Sequence, residues 1–115
     1  MKLDGLELYE SAPGKSPVED FLWEIEDEGL LVKVISSLQR LDRYGYKNRG
    51  KYPRSVKGYE PLWEERVKDI RFLFFECSNG NVVLLHAFFK KEKKIAKRHL
   101  KTARERMRDY EERKR

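Results

Sequence analysis

Ile70-Arg71-Phe72-Leu73-Phe74-Phe75-Glu76-Cys77-Ser78-Asn79-Gly80-Asn81-Val82-Val83-Leu84-Leu85-His86-Ala87-Phe88-Phe89, residues 70–89, is the stretch that decides the fold. Two runs dense in Phe, Leu and Val flank Asn79-Gly80, a dipeptide suited to a two-residue hairpin loop with positive φ at both positions. The pattern predicts strands at Ile70–Cys77 and Asn81–Phe89. Working outward, Pro61–Val67 predicts a third strand, joined to the second through Lys68-Asp69. If both loops are two residues long, Leu73 opposes His86, Arg71 opposes Phe88 and Arg66 opposes Arg71. Alternation then gives one nearly apolar face: Trp63, Val67, Ile70, Phe72, Phe74, Val83, Leu85, Ala87 and Phe89. The other face is mixed and carries Leu62, Glu64, Arg66, Arg71, Leu73, Phe75, Leu84, His86 and Phe88.

The segments before this hairpin supply what covers the apolar face. Leu3–Tyr9 is a candidate strand, with Leu6 and Leu8 alternating against Glu7 and Tyr9. Ser16-Pro17-Val18-Glu19 has the form of a helix start: a capping hydroxyl, a proline at the first helical position, and an acid three residues after the cap. Val18, Phe21, Leu22 and Ile25 follow at helical spacing, and Gly29 is the expected stop. A second helix is predicted from Leu30 to Tyr44, with Leu31, Val34, Ile35, Leu38 and Leu41 on one stripe and Gly45 ending it. Residues 45–60, punctuated by Gly45, Gly50, Pro53 and Gly58, are predicted to be a loop. A basic helix is predicted over residues 94–112, with Ile95, Leu100, Ala103, Met107 and Tyr110 as a thin apolar side. The expected architecture is one α+β domain over residues 1–115, fraying from 111 to 115. It is a twisted antiparallel sheet with a helical hairpin on one face and a basic C-terminal helix.

Composition narrows the partners. The chain has 115 residues, 40% of them charged, and a net charge of +6, with a pI near 9.4. A chain of this length makes one core. The 12% aromatic content is what disordered chains lack. Thirteen Lys or Arg against five Asp or Glu lie in residues 90–115, so the rest of the chain is slightly acidic. A smaller basic cluster is Lys47, Arg49, Lys51, Arg54 and Lys57. Such an excess suits phosphate-rich or acidic partners. Cys77 is the single cysteine, which rules out an intramolecular disulfide and suits a reducing compartment. No signal peptide or membrane-length apolar run is visible, so a cytoplasmic protein without a membrane partner is expected.

Two arginines facing each other repel unless an anion lies between them. Glu64, Asp69 or Glu76 could be that anion; so could a phosphate, which arginine holds with a bidentate fork. His86 lies diagonal to Arg71 on the same face. His99, set among Lys97, Arg98 and Lys101, has the setting of a solvated surface residue. Two histidines without a nearby acidic pair predict no metal site, and no cofactor is expected. The run Phe88-Phe89-Lys90-Lys91-Glu92-Lys93-Lys94 leaves the third strand beside the arginines. Lys90, Lys93, Lys94, Lys97 and Arg98 are the candidate RNA-binding residues.

Leu62-Trp63-Glu64-Glu65-Arg66, Ile70-Arg71-Phe72, Leu84-Leu85-His86-Ala87-Phe88-Phe89-Lys90-Lys91, and Ala103 with Arg106, Asp109 and Tyr110 together resemble the RelE/HigB-type toxins of bacterial toxin–antitoxin systems. Within these they look most like the phage-derived HigB-like branch. The resemblance spans residues 15 to 110 and keeps the order of the elements. It implies a RelE-like fold and a ribosome-dependent endoribonuclease (an mRNA interferase) that cuts mRNA in the decoding site. It also implies a cognate antitoxin, often with a helix-turn-helix domain. Carried over by position, Arg71 matches the family's catalytic arginine, Arg66 the basic residue facing it, and Lys90 and Lys91 the basic pair after the last strand. His86 stands where the HigB-like branch commonly has histidine. The family often has a tyrosine just after the basic pair, whereas here none follows until Tyr110.

The expected chemistry is metal-free attack of a ribose 2′-hydroxyl on the adjacent phosphate. Arg71 and Arg66 would stabilise the phosphorane charge, and His86 or a lysine, Lys91 or Lys94, would move protons. The alternative is a toxin-fold module that holds RNA or a partner but has weakened catalysis. A DNA-binding repressor is disfavoured, because the basic helix lacks base-reading Asn or Gln and no helix-turn-helix pairing is visible.

Overall fold

The computed structural model of the chain describes residues 5–47 and 52–113. The predicted strand start at Leu3, the basic residues Arg49 and Lys51, Gly50, and residues 114 and 115 lie outside the described residues. The elements run β1 (Leu6–Leu8), α1 (Pro17–Trp23), α2 (Glu28–Tyr44), a 3-10 turn (Gly45–Lys47), β2 (Arg54–Ser55), β3 (Trp63–Val67), β4 (Ile70–Glu76), β5 (Val82–Phe89) and α3 (Lys97–Arg113). The five strands form one sheet in the order β1-β5-β4-β3-β2. The sheet is mixed, where a wholly antiparallel one is expected from the sequence. β1 runs parallel to β5, with Leu6 beside Val82 and Leu8 beside Leu84. The chain between β1 and β5 runs through both helices and three strands, a connection long enough for the crossover that parallel neighbours require.

The α+β architecture follows from local signals. Ser16 caps α1, its Oγ accepting from the Glu19 amide at 3.2 Å, and Pro17 occupies the first helical position. The first helix ends at Trp23, six residues before the expected stop at Gly29. Asp27 explains the difference: its carboxylate accepts from the Leu30 amide at 2.9 Å and starts α2 at Glu28. Gly29 therefore lies within the first turn of α2. Gly45 ends α2 as predicted, at φ 57. The 45–60 segment contributes β2, a two-residue edge strand antiparallel to β3. α3 begins at Lys97, three residues later than predicted, and stays helical through Arg113, into the stretch expected to fray. There Arg113 pairs with Asp109 one turn earlier and donates to the Tyr9 hydroxyl.

The decisive hairpin keeps its predicted register at one end and loses it at the other. Leu73 opposes His86 and Arg71 opposes Phe88, as expected. The loop, however, has three residues. Cys77 donates to the Asn81 carbonyl at 2.8 Å and accepts from the Gly80 amide at 2.9 Å. Among these loop residues Gly80 alone has positive φ, at 87. The extra loop residue shifts Phe75 opposite Val83 and Glu76 opposite Val82. A one-residue bulge at Leu85 cancels the shift, between Phe74↔Leu84 and Leu73↔His86. Side chains between the two irregularities change face. Val83 and Leu85, expected beneath the hairpin, instead pack with Leu100, Ala103 and Met107 of α3. Leu84, expected on the mixed face, packs with Val34, Leu38 and Leu41 of α2.

Two apolar layers result. α1 and α2 cover Val67, Ile70, Phe72, Phe74, Val82, Leu84 and Ala87. α3 covers Leu73, Phe75, Val83, Leu85 and Phe88 on the opposite face. Phe89 belongs to the first layer, against Phe21 with ring centroids 5.1 Å apart, yet it remains 44% exposed at the end of β5. No helix among the described residues is long and apolar enough to cross a membrane.

Candidate nucleic-acid interface

Lys68 and Asp69 form the two-residue loop that closes β3 onto β4, with Lys68 at φ 53. This places Arg66 directly opposite Arg71, so two guanidinium groups share one patch at the α3-side end of the sheet. Glu64, on the same face of β3, separates them: its Oε1 lies 3.7 Å from Arg66 Nη2 and its Oε2 lies 4.0 Å from Arg71 Nε. Arg54 of β2 adds a third cation, its Nε 3.4 Å from Glu64 Oε1. Tyr52 lies beneath, with Arg66 4.3 Å and Arg54 5.0 Å from its ring centroid.

The β5 end closes the patch. The Lys90 amide donates to the Asp69 carbonyl at 2.7 Å, tying the start of the lysine run to the β3–β4 loop. Burial and the Arg66 and Arg71 charges lower the Lys90 pKa from the ordinary lysine value, while Glu64 opposes them. Four cations, Arg54, Arg66, Arg71 and Lys90, thus outnumber the carboxylates of Glu64 and Asp69. The Glu64 contacts are loose. Arg66 Nε, Arg71 Nε and Glu64 Oε2 are buried and find no hydrogen-bond partner among the described residues. Arg71 is anchored by its other end, with Nη1 donating to the carbonyls of Lys68 at 2.7 Å and Ile70 at 3.1 Å. The fork is thereby held in a patch with excess positive charge, with its buried Nε turned towards Glu64.

His86 is turned elsewhere. It is half-buried under α3, where Arg106 Nη1 reaches its Nδ1 at 3.2 Å and the Leu85 carbonyl at 2.9 Å. Its Nε2 lies 2.8 Å from Nδ1 of His99. Burial, then the Arg106 charge and His99, push its pKa down to about 4. Both ring nitrogens are therefore engaged with α3, and the ring is neutral at pH 7.

The lysine run flanks a small pocket of about 90 Å³, whose walls include Phe88, Lys90, Lys91, Lys94, Arg98 and His99. Lys91, Lys93, Lys94, Lys97 and Arg98 are exposed. Arg98 pairs with Glu92 at 3.7 Å. The structure thus joins Arg66, Arg71 and Lys90 in one patch and places Lys91, Lys94 and Arg98 around the adjoining pocket. Lys93 and Lys97 are in neither set. His99, whose sequence setting suggests only a solvated residue, lines the pocket, its ring stacked on Phe88 at 3.7 Å and 5°. Arg54 and Tyr52 were hidden in a segment whose short strand only cross-strand pairing reveals; the one available signal was the positive charge of the loop. Among the described residues no group of three or more His, Cys, Asp or Glu could hold a metal ion.

A search of curated proteins returns no match. A family model described as "Phage derived protein Gp49-like (DUF891)" matches residues 14–108, a span that contains α1, the arginine patch, the lysine run and most of α3. The chain belongs to this phage-derived Gp49-like family, a family associated with RelE-like toxins.

Proposed function

We propose that this protein is the toxin of a type II toxin–antitoxin system, of the HigB-like branch, and that it cuts mRNA on the ribosome. The observation that carries this reading is the under-neutralised cluster of Arg54, Arg66, Arg71 and Lys90 around Glu64. A scissile phosphate there gains charge as the neighbouring 2′-hydroxyl attacks phosphorus. Oriented guanidinium donors that meet that charge without reorganising lower the barrier. Arg71 is the central donor, because its Nη1 bonds to Lys68 and Ile70 hold the fork in place. Arg66 faces it, and Lys90 contributes charge.

Both His86 nitrogens are spent on α3, so His86 is withdrawn from the proton step, which falls to the lysines beside the arginines. Lys91 lies one residue beyond Lys90 in the run and lines the pocket, where it and Lys94 meet the RNA backbone together with Arg98. The partner would be a cognate antitoxin with a helix-turn-helix domain, and the compartment the cytoplasm.

The occupied His86 nitrogens favour a second reading, a module of the same fold that holds RNA without cutting it. One experiment separates the two. Induced expression in bacteria should arrest growth and produce new mRNA 5′ ends aligned to codons, and Arg71→Ala should abolish both. Growth arrest without new ends would favour the binding module. Unimpaired growth and intact mRNA with the wild-type chain would overturn the toxin reading.

A further inference from the structure

The ring nitrogens of His86 and His99 can be assigned from the hydrogen-bond network alone. Arg106 Nη1 carries two hydrogens, and it has two acceptors in reach: the Leu85 carbonyl at 2.9 Å and His86 Nδ1 at 3.2 Å. An arginine can only donate, so His86 Nδ1 accepts and the hydrogen of the neutral ring sits on Nε2. That N–H points across 2.8 Å to His99 Nδ1, which must accept in turn. The hydrogen of neutral His99 is therefore on Nε2. Phe88 lies flat against the His99 ring at 3.7 Å, so the ring is held along one edge and one face. Protonating His99 would set two N–H groups against each other. Relief would require moving the His86 hydrogen onto Nδ1, against Arg106. The chain Arg106–His86–His99 thus disfavours a charged His99 and commits its Nδ1, so that among the described residues Nε2–H is the ring group left to meet a ligand.

His99 lines the pocket beyond Phe88 together with Lys90, Lys91, Lys94, Arg98 and one carboxylate, Glu92, which pairs with Arg98 at 3.7 Å and is outnumbered by the cations. Lys90 is also in the arginine patch. The pocket therefore adjoins the patch through one shared residue, as successive phosphates of a single strand would require. Cations alone attract a backbone without orienting it; a fixed neutral donor adds direction.

We propose that this pocket is a second phosphate subsite for single-stranded RNA, in which His99 Nε2–H is a neutral hydrogen-bond donor to a phosphate oxygen and His86 is its positioning residue. The inference rests on the RNA-engaging function proposed above. It assigns His99 a binding role and no part in proton transfer.

The test uses the full chain and a short 2′-O-methyl RNA oligonucleotide, which lacks the attacking hydroxyl and cannot be cut. Fluorescence anisotropy over a salt series should show His99→Ala binding about three- to tenfold more weakly, with the salt slope unchanged because no charge is lost. Lys94→Ala should lower the slope by about 0.7. Unchanged affinity for His99→Ala, or a fall in its slope like that of Lys94→Ala, overturns the assignment. If His99→Ala fails to fold, ring-nitrogen NMR of the wild-type protein decides. At pH 7, His99 should carry hydrogen on Nε2 only, and that signal should shift on addition of the oligonucleotide. A hydrogen on Nδ1, or no shift, overturns it. Wild-type protein that fails to bind the oligonucleotide, or binding that ignores His99, overturns this inference; the proposed function is overturned separately, by intact mRNA and unimpaired growth on induction of the wild-type chain.

Discussion

Arg71 keeps a full positive charge in a buried position because its surroundings divide the task of stabilising it. Two carbonyls take its Nη1 hydrogens, and Glu64 supplies a carboxylate at 4.0 Å. Burial and Arg66 act against that charge, which is the unfavourable part of placing two guanidiniums face to face. Glu64 offsets only part of that repulsion, and in the proposed function a bound phosphate would offset the rest. A lysine cannot reproduce this geometry, since an ammonium is a point charge without a planar fork. Arg71→Lys should therefore lower mRNA cleavage by about 10²-fold, measured as initial rate on programmed ribosomes. A rate near that of the wild type would mean that charge alone suffices at this position. The facing of Arg66 and Arg71 was legible in the sequence because only two residues separate the strands. The Glu64 carboxylate between them was legible as one of three acids able to reach. Arg54 was not, because nothing local marks two residues of a basic loop as an edge strand.

At the scale of elements, capping residues and turn residues set the boundaries, and two small irregularities set the faces. Ser16 holds the start of α1 through the Glu19 amide. Ser16→Ala should cost about 1 kcal/mol of stability, read as a lower urea midpoint with an unchanged slope. Gly80, at φ 87, lets the β4–β5 loop close with three residues. Gly80→Ala should likewise destabilise by about 1 kcal/mol, because a Cβ is strained there. A thermal melt that matches the wild type would show that the loop can adopt another turn. The hairpin itself was legible from residues 70–89. The loop length and the Leu85 bulge were not, since both are settled by which face each of Val82 to Leu85 can pack against. Arg71 and His86 escaped the resulting error only because the two one-residue shifts cancel before reaching them. The first helix was overextended for a related reason: a glycine reads as a stop, but the Asp27 cap had already begun the next helix.

Across the whole molecule, α3 does more than supply basic charge. It closes the second apolar layer through Leu100, Ala103 and Met107. It also joins β5 through Arg106, His86 and His99. That link could not be read from the sequence, because the rotation of a helix about its axis decides which of its many cations turns inward. It has a consequence for pH. His86 titrates at about 4 in the folded protein and near 6.5 when unfolded. The unfolded chain therefore binds the proton first as pH falls. The contribution to stability is fully present above pH 6.5 and is lost progressively between about pH 6.5 and 4. Urea midpoints should fall over this window by an amount equivalent to about 3 kcal/mol, and His86→Phe should flatten the fall. A wild-type midpoint that is level from pH 7 to 4.5 would contradict the neutral, α3-bound state of His86.

The central claim is that the arginine patch holds a phosphate while the neighbouring 2′-hydroxyl attacks it. Its most direct test is the chemistry of the RNA ends made by purified protein on ribosomes programmed with a defined mRNA. Attack by the 2′-hydroxyl predicts 2′,3′-cyclic phosphate and 5′-hydroxyl ends with the wild-type chain, and loss of those products with Arg71→Ala. Uncut mRNA, 3′-hydroxyl ends, or undiminished cleavage by Arg71→Ala would contradict it.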